Sequence, residues 1–111
     1  MPRDRLLLGE MIEAGERIVA LVGRLDPDRP DADRDLLDAL LWNFTVLGEA
    51  SGQVSDSLKA AHSEVAWADP VRLRNRIVHG YWSVDLDVLT STARNDLPAL
   101  IEALERICAA S

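Results

Sequence analysis

A cluster of basic and aromatic side chains occupies residues 72–82, which read RLRNRIVHGYW. The stretch holds three arginines, an asparagine, a histidine and two aromatic residues, and it contains no acid. Histidine is the side-chain type that gains and loses a proton near neutral pH, and arginine offers a planar fork to pairs of oxygens. Side chains of these types suit a phosphate group and a proton transfer beside it.

A helical wheel at about 100° per residue divides this stretch into two faces. One polar stripe consists of Arg72, Asn75, Arg76 and His79. Arg74 lies on the other side among apolar residues, so its charge must reach solvent or meet a carboxylate. Glu49, the one acid in the small-residue run LGEASG, is its predicted partner.

The same side chains also have a purely structural interpretation. A histidine beside a glycine at the end of a helix interacts favourably with the helix dipole, and arginines commonly form a solvated face. The pattern of residue types by itself leaves both interpretations open.

The composition and net charge of the chain argue against one class of protein, the general nucleic-acid binders. The chain has 111 residues, of which 48% are hydrophobic and 28% charged, with a formal net charge of −7. This charge argues against general nucleic-acid binding, because neutralising phosphates needs a basic surface. Residues 26–38 hold six Asp and two Arg, whereas residues 70–82 carry only positive charge. Any attraction for phosphate is therefore local.

Other features predict a cytoplasmic protein with one domain over residues 1–111. The single Cys108 cannot form an internal disulfide, and the first residues do not combine a charged stretch with a continuous apolar run, so we expect no export signal. No apolar run reaches the roughly 18 residues that would span a membrane. His62 has no second ligand at helical spacing, so we expect no metal site and no cofactor.

Four segments repeat the helical period, three of them with long apolar stripes. The first stripe comprises Leu8, Met11, Gly15, Ile18, Val22 and Leu25. The second, starting near Asp33 and with a break expected near Gly52, comprises Leu37, Leu40, Phe44, Leu47, Ser51, Val54 and Leu58. The last comprises Leu86, Leu89, Ala93, Leu97, Leu100, Leu104 and Ile107.

Capping residues predict the helix ends around the basic cluster. A short third helix should run from Asp69 as N-cap and Pro70 at its first position to Gly80 as a left-handed C-cap. The next helix should open with Ser83 as N-cap, and Pro98 should kink or divide it near Asn95.

No segment alternates with the period of a strand, so the predicted fold is all-α. We expect an up-and-down four-helix bundle with a short additional helix that carries the basic cluster. Trp42 and Trp67 are expected in its core. The long stripes leave apolar surface for a second copy, which predicts a dimer.

The run RNRIVH at residues 74–79 matches the R-x4-6-H signature of HEPN domains, with a polar residue directly after the arginine. Together with Gly80 and Tyr81 it gives the longer R-x4-H-x-Y form, which resembles the HepT toxins. The segments LGEAS, AWADPVRLRNRIVHGYWSVDLDVL and NDLPALIEALERI extend the resemblance along most of the chain. Residues 26–36 depart from it, because an aromatic-bearing connector is common there.

The resemblance implies a metal-independent endoribonuclease toxin with a HEPN-like bundle, active as a homodimer whose motif helices meet at the interface. RNA cleavage by the 2′-hydroxyl needs a proton acceptor, a proton donor and stabilisation of the phosphorane charge. His79 would transfer protons and Arg74 would hold the phosphate. Arg76 is an alternative to Arg74, because it lies nearer to His79 on the wheel.

The remaining motif residues receive supporting roles. Arg72 and Asn75 would help to bind RNA, and Trp82 would either stack a base or pack against the next helix. In families that resemble this one, the tyrosine of H-x-Y accepts AMP from a partner nucleotidyltransferase antitoxin of the MNT type. Tyr81 would have that role, or it would simply cap the motif loop.

Two other functions remain open at this point. The chain would be either a catalytically inactive HEPN dimer that acts as a scaffold for a nucleotidyltransferase, or a plain helical adaptor. A neighbouring reading frame with a G-S-x-D nucleotidyltransferase motif would favour the toxin and the scaffold over the adaptor, and RNA cleavage by the purified protein would separate the toxin from the scaffold.

Overall fold

The computed structural model describes residues 2–80 and 83–110. Over these ranges the chain forms helices and no strand, which confirms the all-α prediction. The helices are α1 (Pro2–Val22), α2 (Arg34–Gln53), α3 (Asp56–Ala61), α4 (Ala68–Gly80), α5 (Leu86–Asn95) and α6 (Leu97–Ala110).

Helices α1 and α2 form the antiparallel centre of the bundle. Arg3 Nη2 near the start of α1 donates to Gln53 Oε1 at the end of α2 over 2.5 Å. Helix α4 packs on α2, while α5 and α6 pack on α1. The largest fully buried side chains include Leu8, Met11, Ile18, Leu40, Phe44, Leu47, Leu89, Leu97 and Leu104. The core thus follows the three predicted stripes.

Two predicted interruptions are confirmed. Helix α2 ends at Gln53, and α3 begins three residues later with Ser55 as its N-cap. The second interruption divides α5 from α6 at Asp96, two residues before Pro98, whose missing N–H cannot continue the helical ladder.

Asp4, near the start of α1, fastens the α2–α3 junction. Its carboxylate accepts hydrogen bonds from Ser55 N at 2.9 Å and from Ser55 Oγ at 2.6 Å. The hydrogen bond from the Ser55 hydroxyl, followed by the one from the Ser55 amide, holds the pKa of Asp4 below its usual range. This contact joins two helix starts that are far apart in the sequence.

The predicted caps around α4 are wrong in three details. Helix α4 begins at Ala68, one residue before Asp69, and it remains helical through Gly80. Gly80 is not left-handed, since no described glycine has a positive φ. Asp85, not Ser83, caps α5, because its side chain accepts from Asp87 N at 2.9 Å. The Ser83 hydroxyl instead donates to the Gly80 carbonyl at 2.9 Å, which satisfies an acceptor that the end of α4 leaves open.

The two tryptophans expected in the core differ in their surroundings. Trp67 is buried, and its Nε1 donates to the His62 carbonyl at 3.0 Å. Trp42 is 66% exposed, so its placement in the core was wrong. It lies two residues from both Leu40 and Phe44, about 200° from each around the helix, and therefore off the buried stripe of α2.

None of the helices in residues 2–80 and 83–110 combines the length and the apolar character that crossing a bilayer requires.

Candidate active site

The basic cluster lies on α4, whose position depends on a close approach to α2 at Gly48. A Cβ added at Gly48 would lie 2.3 Å from Arg74 Cβ and 2.5 Å from the Pro70 carbonyl oxygen. Both distances are far shorter than an ordinary contact of about 3.5 to 4.0 Å. Residue 48 must therefore be glycine for Arg74 to stand where it does.

Arg74 is held at two points of its guanidinium. Its Nη2 lies 3.1 Å from Glu49 Oε2, so the ion pair expected from the wheel is present. Its Nη1 donates to Asn75 Oδ1 at 2.9 Å. Glu49 is itself held, because its Oε1 accepts from Gln53 Nε2 at 3.0 Å. The result is an arginine fork whose orientation is fixed by its neighbours.

The burial of Arg74 is uneven along its side chain. The side chain is 32% exposed, while its Nε is buried and has no hydrogen-bond partner among the described residues. A buried N–H of this kind is costly unless it is paired. Because Nε is part of the guanidinium, one edge of the charged group is buried, while Nη1 and Nη2 pair with Asn75 and Glu49.

His79 stands in a different place from Arg74. It lines a cleft of about 280 Å³ between the end of α4 and the start of α5, together with Arg76, Ser83 and Asp85. Arg74 does not contribute to this cleft. The structure therefore brings His79 and Arg76 together and leaves Arg74 on the side of α4 that faces α2, as expected from their angles on the wheel.

The supporting residues divide in a similar way. Asn75 contacts Arg74 and not a histidine, so within one chain it orients the guanidinium. Arg72 is exposed and forms an ion pair with Asp69 on the same helix. Tyr81 and Trp82, with the roles expected for them, lie outside the described residues.

The arrangement determines which chemistry is available. Two exposed groups, His79 and Arg76, share a cleft that is open to solvent and large enough for a small group such as a phosphate with its sugar. Within residues 2–80 and 83–110, no three metal-ligating side chains gather at one point. The groups present are those of proton transfer and anion binding.

Two features of the site escaped prediction from the sequence. One is the hydrogen bond between Asn75 and Arg74, which the positions of the two residues on the helical wheel did not indicate. The other is that Ser83 and Asp85 face His79 across the cleft, which requires knowing how α5 folds back on α4. The requirement for Gly48 did have a signal, since the run of small residues in LGEASG indicated that another backbone comes close.

Comparison with known proteins extends over most of the chain. The sequence model of the family described as Ribonuclease HepT-like matches residues 11–107. A probable ribonuclease HepT from Thermococcus cleftensis is 31% identical over 75 residues, which is 68% of each chain. A candidate RNase from Methanocaldococcus jannaschii is 21% identical over 101 residues, covering 91% of this chain and 93% of its own.

A candidate RNase from Caldanaerobacter subterraneus is 24% identical over 107 residues, covering 96% of both chains. No solved structure matches the chain. The family match begins within α1 and ends within α6, so it includes the Gly48 contact, the Glu49–Arg74 pair and the His79 cleft. The chain, with its helical bundle and its R-x4-H motif on α4, belongs to the ribonuclease HepT-like family of the HEPN superfamily.

Proposed function

We propose that the protein is a metal-independent endoribonuclease, the toxin of a toxin–antitoxin pair, which cleaves RNA at a composite Arg/His site between two copies of the chain. Membership of the family and the ribonuclease names of the relatives support RNA as the substrate. The histidine and arginines of α4 supply the groups that this reaction needs.

The proposed reaction uses the RNA's own 2′-hydroxyl as nucleophile. One histidine accepts the 2′-hydroxyl proton while the oxygen forms a bond to the adjacent phosphorus. A second histidine gives a proton to the 5′-oxygen as its bond to phosphorus breaks. Each chain offers one His79, so a twofold pair supplies both the base and the acid.

Arg74 is proposed to stabilise the negative charge that develops on the phosphoryl oxygens. Its support is the fixed fork held by Glu49 and Asn75, since a preorganised guanidinium loses little freedom when it binds an anion. Arg76, which shares the cleft with His79, is proposed to bind a phosphate of the same strand, and Arg72 to add local positive charge.

The observation that carries the composite site is the separation of Arg74 from His79. Arg74 reaches toward α2 and Glu49, while His79 opens into the cleft between α4 and α5. Within one chain the two groups therefore lie on different sides of α4. A second copy that brings its own α4 alongside would present an arginine and a histidine to the same phosphate.

Tyr81 is proposed as the point of control. It follows His79 by two residues, so AMP transferred from ATP to the Tyr81 hydroxyl by a nucleotidyltransferase antitoxin, with release of pyrophosphate, would place a negative phosphate beside the site that binds RNA. Repulsion and bulk would then exclude the substrate. A Tyr81→Phe protein should cleave RNA and resist silencing, which mass spectrometry and a cleavage assay would show together.

A second candidate function is a catalytically inactive dimer that serves as a scaffold for the nucleotidyltransferase. The Glu49–Arg74 pair favours it, because the carboxylate competes with a phosphate for the guanidinium. This candidate predicts dimerisation and binding to the nucleotidyltransferase without RNA cleavage.

The test is cleavage of end-labelled RNA by purified protein with EDTA present. Wild type should cleave, whereas His79→Ala should lose about 100-fold or more of the rate, which is the usual contribution of a general acid or base. Arg74→Ala should lose a similar factor. The matched control is Arg106→Ala, an exposed arginine on α6 away from the cleft, which should keep wild-type activity. Equal cleavage by wild type and His79→Ala would refute the assignment.

A further inference from the structure

We propose that the cleft beside His79 is a recognition pocket for one guanine base of the RNA, and that the carboxylate of Asp85 determines this preference. The inference deepens the proposed function, on which its consequence for cleavage rests, because it names the nucleotide that the site accepts. We refer to the cleft in this role as the base pocket.

The base pocket has the size and the lining that one unstacked base requires. Its volume is about 280 Å³, and apolar side chains from both helices line it: Leu73 and Ile77 from α4, Val88 and Leu89 from α5. Ile77 and Leu89 are buried, whereas Val88 is 38% exposed, so the apolar lining extends from the core to the surface. Sequence-specific recognition of RNA acts mainly on single-stranded bases that have left the stack. The lining can cover the flat faces of such a base and leaves its edge to polar groups.

The polar groups on the α5 side of the base pocket accept hydrogen bonds. Asp85 is exposed, and its Oδ1 accepts from Asp87 N at 2.9 Å as the N-cap of α5. This bond uses one of about four lone-pair sites on the carboxylate. The Ser83 hydroxyl donates its hydrogen to the Gly80 carbonyl at 2.9 Å, so its oxygen can only accept from a ligand. This wall therefore suits a base edge that carries donors.

Guanine is the base whose edge matches a carboxylate best. Its Watson–Crick edge carries two adjacent donors, N1–H and the N2 amino group, which one carboxylate can accept together. Adenine and cytosine each place a ring acceptor beside their amino group, and uracil places a carbonyl on each side of its N3–H. Those acceptors would face the negative charge of Asp85. The chemistry of the base pocket therefore selects guanine over the other three bases.

The α4 side of the base pocket carries the groups for the phosphate of the same nucleotide. His79 and Arg76 are exposed at the end of α4 and line the pocket with Asp85. A guanine that binds Asp85 would leave its ribose and phosphate beside the groups assigned to proton transfer and phosphate binding. Binding energy from the base would then position the phosphate that reacts. The expected consequence is cleavage next to guanosine.

The test compares the binding of guanosine 3′-monophosphate and inosine 3′-monophosphate to wild type by isothermal titration calorimetry. Inosine lacks only the N2 amino group of guanosine, so the comparison isolates one hydrogen bond to a charged acceptor. Wild type should bind the guanosine nucleotide about 10- to 100-fold more tightly than the inosine nucleotide. Equal affinities, or no binding of either nucleotide at millimolar concentration, would overturn the proposal.

Asp85→Asn shows whether the carboxylate makes the distinction. Asparagine is as good an N-cap as aspartate, so α5 should keep its start, which circular dichroism would verify. The variant should lose most of the preference for guanosine, because an amide offers one acceptor oxygen and no charge. If Asp85 serves as a cap alone, the ratio of the two affinities will stay at its wild-type value, and that result would overturn the assignment.

The matched control is Asp87→Asn. It makes the same substitution two residues later on α5, at an exposed position that does not line the base pocket. This variant should keep the wild-type ratio of affinities. An equal loss of preference in both variants would mean that the general negative charge of the helix start, and not the Asp85 carboxylate, favours guanosine, and would contradict the proposal. If Asp85→Asn does not fold, the comparison of the two nucleotides on wild type decides, since it needs no variant.

RNA cleavage measured on the same samples separates this inference from the proposed function. The substrates are oligonucleotides that carry a single guanosine, or inosine in its place, with EDTA present. If wild type binds guanosine 3′-monophosphate selectively and cleaves no RNA, the base pocket is supported and the ribonuclease proposal fails. If wild type cleaves both oligonucleotides equally well and binds both nucleotides equally, the ribonuclease proposal is supported and the base pocket is wrong.

Discussion

Replacing Gly48 with alanine tests how closely α2 and α4 must approach. The added methyl group would overlap Arg74 Cβ at 2.3 Å and the Pro70 carbonyl at 2.5 Å. Relieving the contact with Arg74 requires a shift of at least about 1 Å, because unstrained carbon atoms stay about 3.5 Å apart. Both obstacles belong to α4, so the helix as a whole must move.

Two opposing effects decide the free energy of unfolding of Gly48→Ala. Alanine in place of glycine stabilises a helix interior by up to about 1 kcal/mol. Overpacking a tight contact costs typically about 1 to 3 kcal/mol, and here the cost should lie at or above the upper end because the obstacle includes backbone. We therefore expect a net loss of about 2 to 3 kcal/mol, or roughly 10 to 15 °C in the midpoint of thermal unfolding.

The matched control is Gly52→Ala in the same helix. A Cβ there would meet only Val71 Cγ2, at an ordinary 3.6 Å, so this variant should be as stable as wild type or more stable by up to about 1 kcal/mol. Thermal and urea unfolding followed by circular dichroism would measure both. If Gly48→Ala is as stable as Gly52→Ala, α4 does not depend on the glycine, and the explanation of how Arg74 is positioned is wrong.

Two further predictions concern the contacts that hold the bundle around the site. Ser51→Ala should lower the free energy of unfolding by about 1 to 3 kcal/mol, because the buried Ser51 Oγ donates to the Trp67 carbonyl at 2.7 Å and that carbonyl would lose its partner. Urea unfolding measures this loss, and Ser63→Ala, at an exposed position, is a control that should change little. Asp4→Asn should make the stability of the fold less sensitive to acid. The pKa of Asp4 is lowered by its hydrogen bonds to Ser55, so these bonds stabilise the fold fully above the ordinary Asp pKa of about 3.9. Their contribution is lost as the pH falls through the lowered pKa. Thermal midpoints should thus differ between wild type and Asp4→Asn at neutral pH and converge in acid, and a constant difference at every pH would contradict this assignment.

The helices with long stripes could be predicted because burial repeats along them. Each core position of α1, for example Met11 or Ile18, supports its neighbours one turn away, so one misjudged residue does not alter the result. The division at Pro98 followed from a missing hydrogen-bond donor. These features depend on local chemistry that a single chain displays in its sequence.

Helix ends near the site were harder to predict, because several polar residues compete for each cap. Ser83 and Asp85 can both serve as N-caps, and the choice depends on where the end of α4 leaves an unpaired carbonyl. Trp42 was misplaced for a related reason, since an aromatic residue is usually buried but this one stands off the stripe. The tertiary position of each residue decided the outcome in these cases.

The ion pair of the candidate site could be predicted from the sequence, but the cleft around His79 could not. The wheel required a carboxylate for Arg74, and Glu49 was the one acid in the small-residue run, so the ion pair followed. The cleft that His79 and Arg76 share with the start of α5 depends on contacts between distant segments. The periodicity of the sequence does not encode such contacts. The long apolar stripes also predicted a surface for a second copy, and that dimer stays a prediction.

The composite site is tested most directly by mixing wild type with His79→Ala at fixed total concentration and measuring RNA cleavage with EDTA present. After subunits have exchanged, a site that needs one histidine from each copy makes every mixed dimer inactive. Activity should then fall with the square of the wild-type fraction, to about one quarter in an equal mixture. A linear fall, to about one half, would show that each chain holds a complete site and would contradict the proposed mechanism.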